Sequence, residues 1–180
     1  MERIKIFDNY FRLLIPHEQI QKSVARIAND LNLEYAGKEP PLFVSVLSGA
    51  FMFTSDLMKQ LTFQAQVAFI KVSSYSGTQS TGEIKKVIGM GGSVKGREVI
   101  IIEDIVDTGT TLEALHRMLI EDGATNVKIC TLLIKPDVYK KELTVDYVAI
   151  KIPNHFVVGY GLDYNELGRQ YRDIYILDES

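Results

Sequence analysis

The chain has 180 residues, enough for one domain with a sizeable core, and its 46% hydrophobic and 24% charged residues are an ordinary globular mix. A net charge of −3 argues against the basic face of a nucleic-acid binder. No apolar run approaches the ~18 residues of a membrane span, and the N-terminus MERIKIFDNYFRLL scatters charges where a secretory signal needs a continuous apolar stretch. A cytoplasmic enzyme or binding protein is therefore expected. Cys130, the only cysteine, lies in the apolar run ICTLLI and reads as a reduced, buried residue.

Along the chain, residues 17–31 place Ile20, Val24, Ile27, Ala28 and Leu31 at helical spacing, which predicts an amphipathic helix. Pro40 and Pro41 stop any helix there. Residues 42–47 (LFVSVL) form a short β-rich run, and Ser48-Gly49 turns the chain into the helix-like AFMFTSDLMKQL. Residues 67–72 read as the next strand. The polar stretch SSYSGTQSTG follows, and residues 83–90 are strand-like again, so the stretch reads as a long hairpin loop. Residues 97–102 (REVIII) are apolar beyond the first two, the pattern of a strand buried on both faces of a parallel sheet.

After Asp107-Thr108-Gly109 comes a second amphipathic helix with Leu112, Leu115, Met118 and Leu119 on one side, which Gly123 is placed to end. Residues 127–134 and 147–152 are further strands, and the C-terminal part FVVGYGLDYNELGRQYRDIYIL ends in one more. Strands alternating with helices predict an α/β fold with a mostly parallel central sheet flanked by helices. No repeat, low-complexity tail or linker divides it, so residues 1–180 read as one domain.

The segment VIIIEDIVDTGTT, residues 99–111, carries the most chemistry. A buried strand ends in two adjacent carboxylates, Glu103 and Asp104; Asp107 follows, and Thr108-Gly109-Thr110-Thr111 opens a helix. Ligands of open α/β sheets gather at the carboxyl ends of strands. A helix N-terminus presents unpaired amides and partial positive charge to a phosphate, Gly109 permits close backbone approach, and the threonine hydroxyls add donors. The acidic pair suits sugar hydroxyls or a hard cation such as Mg²⁺. Capping of the helix by Asp107 or Thr108 would account for only one residue of the group. The segment GGSVKGRE is no P-loop, because Arg97 and Glu98 stand where Lys and Ser/Thr are required. No G-x-G-x-x-G follows a strand, and His17, His116 and His155 lack metal-site spacing.

Residues 99–111 resemble the phosphoribosyl-pyrophosphate motif of type I phosphoribosyltransferases, and the core EDIVDTG is most like their hypoxanthine-guanine branch. The resemblance runs from about Pro41 to Arg169. It implies that Ser48 and Gly49 form the pyrophosphate loop, although many members carry Lys where this chain has Ser48. It implies that Ser74 and Tyr75 belong to a mobile flap, that Lys135 donates to the 6-oxo group of a purine, and that Phe156 stacks on the base with the Val157 backbone at its edge. Asp163 would lie near the exocyclic amino position or a second Mg²⁺, and Arg169 would bind pyrophosphate. A lysine at a strand end is usually solvated, and a phenylalanine such as Phe156 is more often core.

The resemblance further implies a small hood of N- and C-terminal segments over the purine site, a dimer or tetramer, and purine salvage giving IMP or GMP. Mg²⁺ would be the cofactor, held by Glu103, Asp104 and Asp163, with Asp107 as general base. Two rivals stand beside this reading. One is an enzyme using xanthine, adenine or orotate; Lys135 and FVVGYGLDY argue against the last two and leave xanthine open. The other is a regulator that senses phosphoribosyl pyrophosphate, which would have lost a catalytic residue or gained a basic face.

Overall fold

The computed structural model describes residues 3–74, 84–88 and 92–178. Its main sheet contains β3 (Leu42–Val46), β4 (Gln66–Ser74), β5 (Ile84–Ile88), β6 (Glu98–Val106), β7 (Asn126–Ile134) and β8 (Tyr147–Lys151), in the order β5-β4-β3-β6-β7-β8. Strands β4, β3, β6, β7 and β8 run parallel, and β5 returns antiparallel beside β4 as the hairpin partner expected from the sequence.

Successive strand residues point to opposite faces, so a central strand covered by helices on both sides must be apolar at every position. In β6, Ile100 and Ile102 pack with Ile20, Val24, Ile27 and Leu31 of α1 (His17–Glu34) and with Phe53 and Leu57 of α2 (Phe51–Met58). Val99 and Ile101 pack with Leu112, Leu115 and Leu119 of α3 (Thr110–Glu121) on the other face. Each such side chain contributes about 1.5–3 kcal/mol by leaving water. Helix α3 ends where expected: Gly123 adopts φ 93°, and the Ala124 amide returns to the Leu119 carbonyl at 3.1 Å. Cys130 is fully buried, and burial raises its thiol pKa well above the ordinary value. Among the described residues, no helix is long and apolar enough to cross a membrane.

The chain passes from β3 through α2 to β4 on one side, and from β6 through α3 to β7 on the other. The connections diverge between β3 and β6, which opens a crevice at the carboxyl ends of these two strands.

A second sheet, not foreseen at the N-terminus, pairs β1 (Arg3–Ile6) and β2 (Asn9–Ile15) with β10 (Ile174–Leu177) and the two-residue β9 (Val157–Val158), all antiparallel. Its own core is small, built on Ile6, Phe11, Val158 and Tyr175. This is the hood of N- and C-terminal segments that the resemblance implied. It is tied to the helices by Tyr160, whose O–H donates to Asp56 of α2 at 2.7 Å, while Gln21 of α1 donates to the same carboxylate at 2.6 Å.

Candidate active site

Strand β6 runs further than its apolar run predicted, through Glu103 and Asp104 to Val106. It keeps β7 as a neighbour there, with Glu103 opposite Thr131 and Val106 opposite Ile134, whereas pairing with β3 stops at Ile102. The acidic pair is therefore held by a strand on one side and faces the crevice left by β3 on the other. Their two carboxyl groups lie close enough to interact directly. Glu103 lines a cavity of about 250 Å³, shared with Val46, Val72 and residues 105–112. Asp104 is aimed at Gly49, where a Cβ would collide with its carboxylate. Burial, then the charge of Asp104, raises the Glu103 pKa well above the ordinary carboxylate range. Burial also lifts Asp104, against the opposing pull of Glu103, the Ile105 amide and the Arg169 charge.

The loop from Asp107 to Gly109 closes the cavity. Gly109, at φ 77° and ψ 4°, is the residue that caps α3, and no side chain caps the helix. The alternative that Asp107 or Thr108 is simply a helix cap is thereby set aside. With no capping side chain, the amides of the first helical turn lack intrahelical partners, and Thr110, Thr111 and Leu112 line the cavity. The hydroxyls of Thr108 and Thr110 stand 3.5 Å apart on the same rim.

Lys135 follows β7 directly, its amide bonded to the Val106 carbonyl at 3.0 Å. The residue is only 8% exposed, so it is not the solvated lysine usual at a strand end. Its Nζ pairs with Asp107 Oδ2 at 2.8 Å, which brings the residue expected to read the base against the residue expected to accept a proton. Nothing in the spacing of residues 107 and 135 announces that contact.

Across the crevice, Ser48 and Gly49 follow β3, and the Leu47–Ser48 peptide is cis. Gly49 is buried between Asp104 on one side and Gly161 of the hood on the other, whose own Cβ position is filled by the Gly49 carbonyl. Arg169 reaches the same place. Its Nη1 donates to the Gly161 carbonyl at 2.7 Å and its Nη2 pairs with Asp163 Oδ1 at 2.8 Å. The second Asp163 oxygen accepts the Glu166 amide at 2.7 Å.

Val157 is buried in β9, with its partner Ile176 in β10. Phe156 just before it is 46% exposed, with its ring near Phe11 and Tyr164, so it is not core and offers a face. Ser74 is the last residue of β4, and Tyr75 lies outside the described residues. Tyr139, Lys141 and Glu113, which sequence reasoning passed over, lie around Gly109, and the Lys141–Glu113 ion pair measures 2.8 Å. Helical and strand periodicities carry no signal for them, because they sit in a connection and on a helix flank.

Among the described residues no three His, Cys, Asp or Glu side chains gather as a metal cluster. Glu103 and Asp104 still match what Mg²⁺ usually takes from a protein: one or two carboxylates, with the other positions left to water and substrate oxygens. A cation between them would relieve the charge that burial makes costly there.

A family model described as a phosphoribosyl transferase domain matches residues 14–165. The hypoxanthine-guanine phosphoribosyltransferase of Staphylococcus aureus is 42% identical over 158 residues, covering 87% of this chain and 88% of that protein. A crystal structure of a hypoxanthine phosphoribosyltransferase from the same organism superposes with a TM-score of 0.87 at 40% identity, covering 93% of this chain and 91% of that one. The bifunctional protein TilS/HprT of Listeria monocytogenes is also 42% identical, over 164 residues and 91% of this chain, but the chain spans only 25% of its length. Likeness at this level, in sequence and in backbone together, means that the chain belongs to the phosphoribosyltransferase family, in its hypoxanthine-guanine branch.

Proposed function

We propose that this chain transfers the 5-phosphoribosyl group of phosphoribosyl pyrophosphate to hypoxanthine or guanine, giving IMP or GMP and pyrophosphate. The observation that carries the reading is the Lys135–Asp107 pair at 2.8 Å beside an uncapped helix N-terminus. A pure donor for a 6-oxo group and an acceptor for a purine ring proton stand together next to a phosphate cradle.

In this reading the 5-phosphate sits on the amides and hydroxyls of Thr108, Gly109, Thr110 and Thr111. Glu103 and Asp104 accept the ribose hydroxyls and stabilise positive charge that develops on the sugar ring. The base stacks on Phe156 with its edge at the Val157 backbone and its 6-oxo group on Lys135. One imidazole nitrogen of the purine forms the bond to the anomeric carbon as the bond to pyrophosphate breaks, and Asp107 takes the proton from the other imidazole nitrogen. Arg169 and the Ser48-Gly49 backbone hold the departing pyrophosphate, and the guanidinium fork suits its oxygens. Glu103 and Asp104 would hold Mg²⁺, which would supply neutralising charge for the leaving group. When Arg169 turns to pyrophosphate it releases an Asp163 oxygen, which leaves Asp163 able to meet the exocyclic amino group or a second Mg²⁺. Residues 1–180 act as one phosphoribosyltransferase unit, assembled as a homodimer or homotetramer.

Steady-state assays with hypoxanthine, guanine, xanthine and adenine test the reading. IMP and GMP are expected as products, with adenine nearly inert, no turnover in EDTA, and recovery on adding Mg²⁺. Dominant XMP formation would move the chain to a xanthine-preferring enzyme, and full activity in EDTA would remove the metal from the mechanism.

A further inference from the structure

The turn that follows Lys135 reaches back to the phosphate cradle. Val138 and Tyr139 both donate their amides to the Lys135 carbonyl, at 3.1 and 3.0 Å, so residues 135–139 form one tight turn. The turn lays the Tyr139 ring over Gly109. A Cβ built at Gly109 would lie 2.9 Å from Cδ2 of that ring and 3.3 Å from Cγ of Lys141. Tyr139 is anchored in its turn, packed against the core on the α3 face with its O–H donating to the Leu143 carbonyl. Lys141 continues past the same glycine to Glu113 at 2.8 Å, the acidic residue in the first turn of α3. An unpaired carboxylate there would repel part of the charge of a phosphate approaching from the cavity, and the ion pair offsets it.

Gly109 has no side chain to lock its conformation, and no side chain caps the helix behind it. Glycine moves between backbone basins more readily than any other residue, so a cradle centred on it needs support from outside. We propose that Tyr139 is a positioning residue for the phosphate loop. Its ring covers Gly109 and keeps residues 107–111 in the shape that accepts the 5-phosphate, without touching the substrate. The proposal rests on the reading of residues 107–111 as the 5-phosphate cradle, and it deepens that reading.

The test separates the two substrates. Tyr139→Ala is expected to raise the KM for phosphoribosyl pyrophosphate about 5- to 20-fold, as displacement of a binding loop does, with the KM for hypoxanthine within about 2-fold of wild type. Tyr139→Phe, which keeps the ring, is expected to restore both values. Thr111→Val removes one hydroxyl of the cradle and tests the cradle itself. If Thr111→Val leaves the KM for phosphoribosyl pyrophosphate unchanged, the cradle reading fails and the proposal with it. If Thr111→Val raises that KM and Tyr139→Ala does not, only the role of Tyr139 is overturned. Equal rises in both KM values for Tyr139→Ala overturn it as well, because a general loss of packing would produce them. Should thermal melting show that Tyr139→Ala does not fold, Tyr139→Leu fills the volume without the flat ring and carries the same expectation.

Discussion

In the proposed reaction, Asp107 and Lys135 would divide one ion pair between two tasks. The lysine pairs with the carboxylate at 2.8 Å, and in the proposed reaction its remaining protons would serve an incoming 6-oxo group. Asp107→Asn keeps the shape, loses the ion pair and cannot take up a proton as the carboxylate does. Turnover is expected to fall ~100-fold or more, the usual scale for a positioned acid–base group, with little change in affinity for phosphoribosyl pyrophosphate. Steady-state rates from pH 6 to 9 check this, and unchanged turnover would remove Asp107 from proton transfer. Lys135→Ala is expected to depress turnover efficiency for both oxopurines by about 1.5–3 kcal/mol, the loss of a hydrogen bond to a charged donor. Adenine should gain relative to them, since the donor that disfavours its 6-amino group is gone. If the hypoxanthine-to-adenine ratio stays at its wild-type value, selectivity lies with backbone contacts near Val157 instead.

Between elements, the closest approach in the site is where the turn after β3 meets β6. Gly49 occupies the space that the Asp104 carboxylate leaves, and Gly161 of the hood closes the other side. Gly49→Ala forces a Cβ into that carboxylate. Such overpacking is expected to cost about 1–3 kcal/mol of stability and to lower turnover by more than the stability change implies, because Asp104 is displaced. A double-mutant cycle with Asp104→Ala reads this out. Removing the carboxylate should return most of the lost stability but none of the activity. Independent, additive stability losses would mean that the two elements do not press on each other there. The turn was visible in the sequence as Ser48-Gly49 between a β-rich run and a helix-like run. Its partner was not, because Asp104 is 55 residues further along the chain and neither periodicity nor turn chemistry links them.

Over the whole molecule, the proposed reaction requires the hood to stay seated on the α/β body, since it carries Phe156, Val157 and Arg169. Asp56 is one fastening. Burial by itself would raise its carboxyl, but hydrogen bonds from Tyr160, Lys59 and Gln21 outweigh that and hold its pKa below the ordinary value. Burial and the Asp56 carboxylate push the Tyr160 phenol well above its ordinary value, so it remains a donor. A depressed folded-state pKa contributes stability that is complete above the unfolded pKa of about 3.9 and is lost as pH falls through the folded value. Asp56→Asn is therefore expected to be less stable than wild type by about 1–3 kcal/mol at pH 7, with the gap closing below about pH 4. Denaturant unfolding at pH 7 and at a pH well below about 4 measures it, and a gap independent of pH would show that charge at Asp56 does not hold the hood.

Periodicity and turn chemistry are local properties, and they were sufficient for the parallel sheet, for α1, and for the end of α3 at Gly123. The run EDIVDTGTT is also local, seven of its nine residues being polar or glycine after a buried strand, which is why the chain itself marks it as a candidate site. The sequence left β1 and β2 unread: Ile4, Ile6, Phe11, Leu13 and Ile15 alternate with other residues, but they form a packed face only when β10 pairs with β2 from more than 150 residues away. The extension of β6 through Glu103 and Asp104 likewise depended on β7, whose backbone supplies partners that a charged pair does not advertise. Tertiary structure alone decided that Lys135 meets Asp107, that Asp104 meets Gly49 and that Tyr139 covers Gly109. Each of these contacts joins segments whose nearness is set by strand order and crossover direction, and a one-dimensional pattern has no term for either.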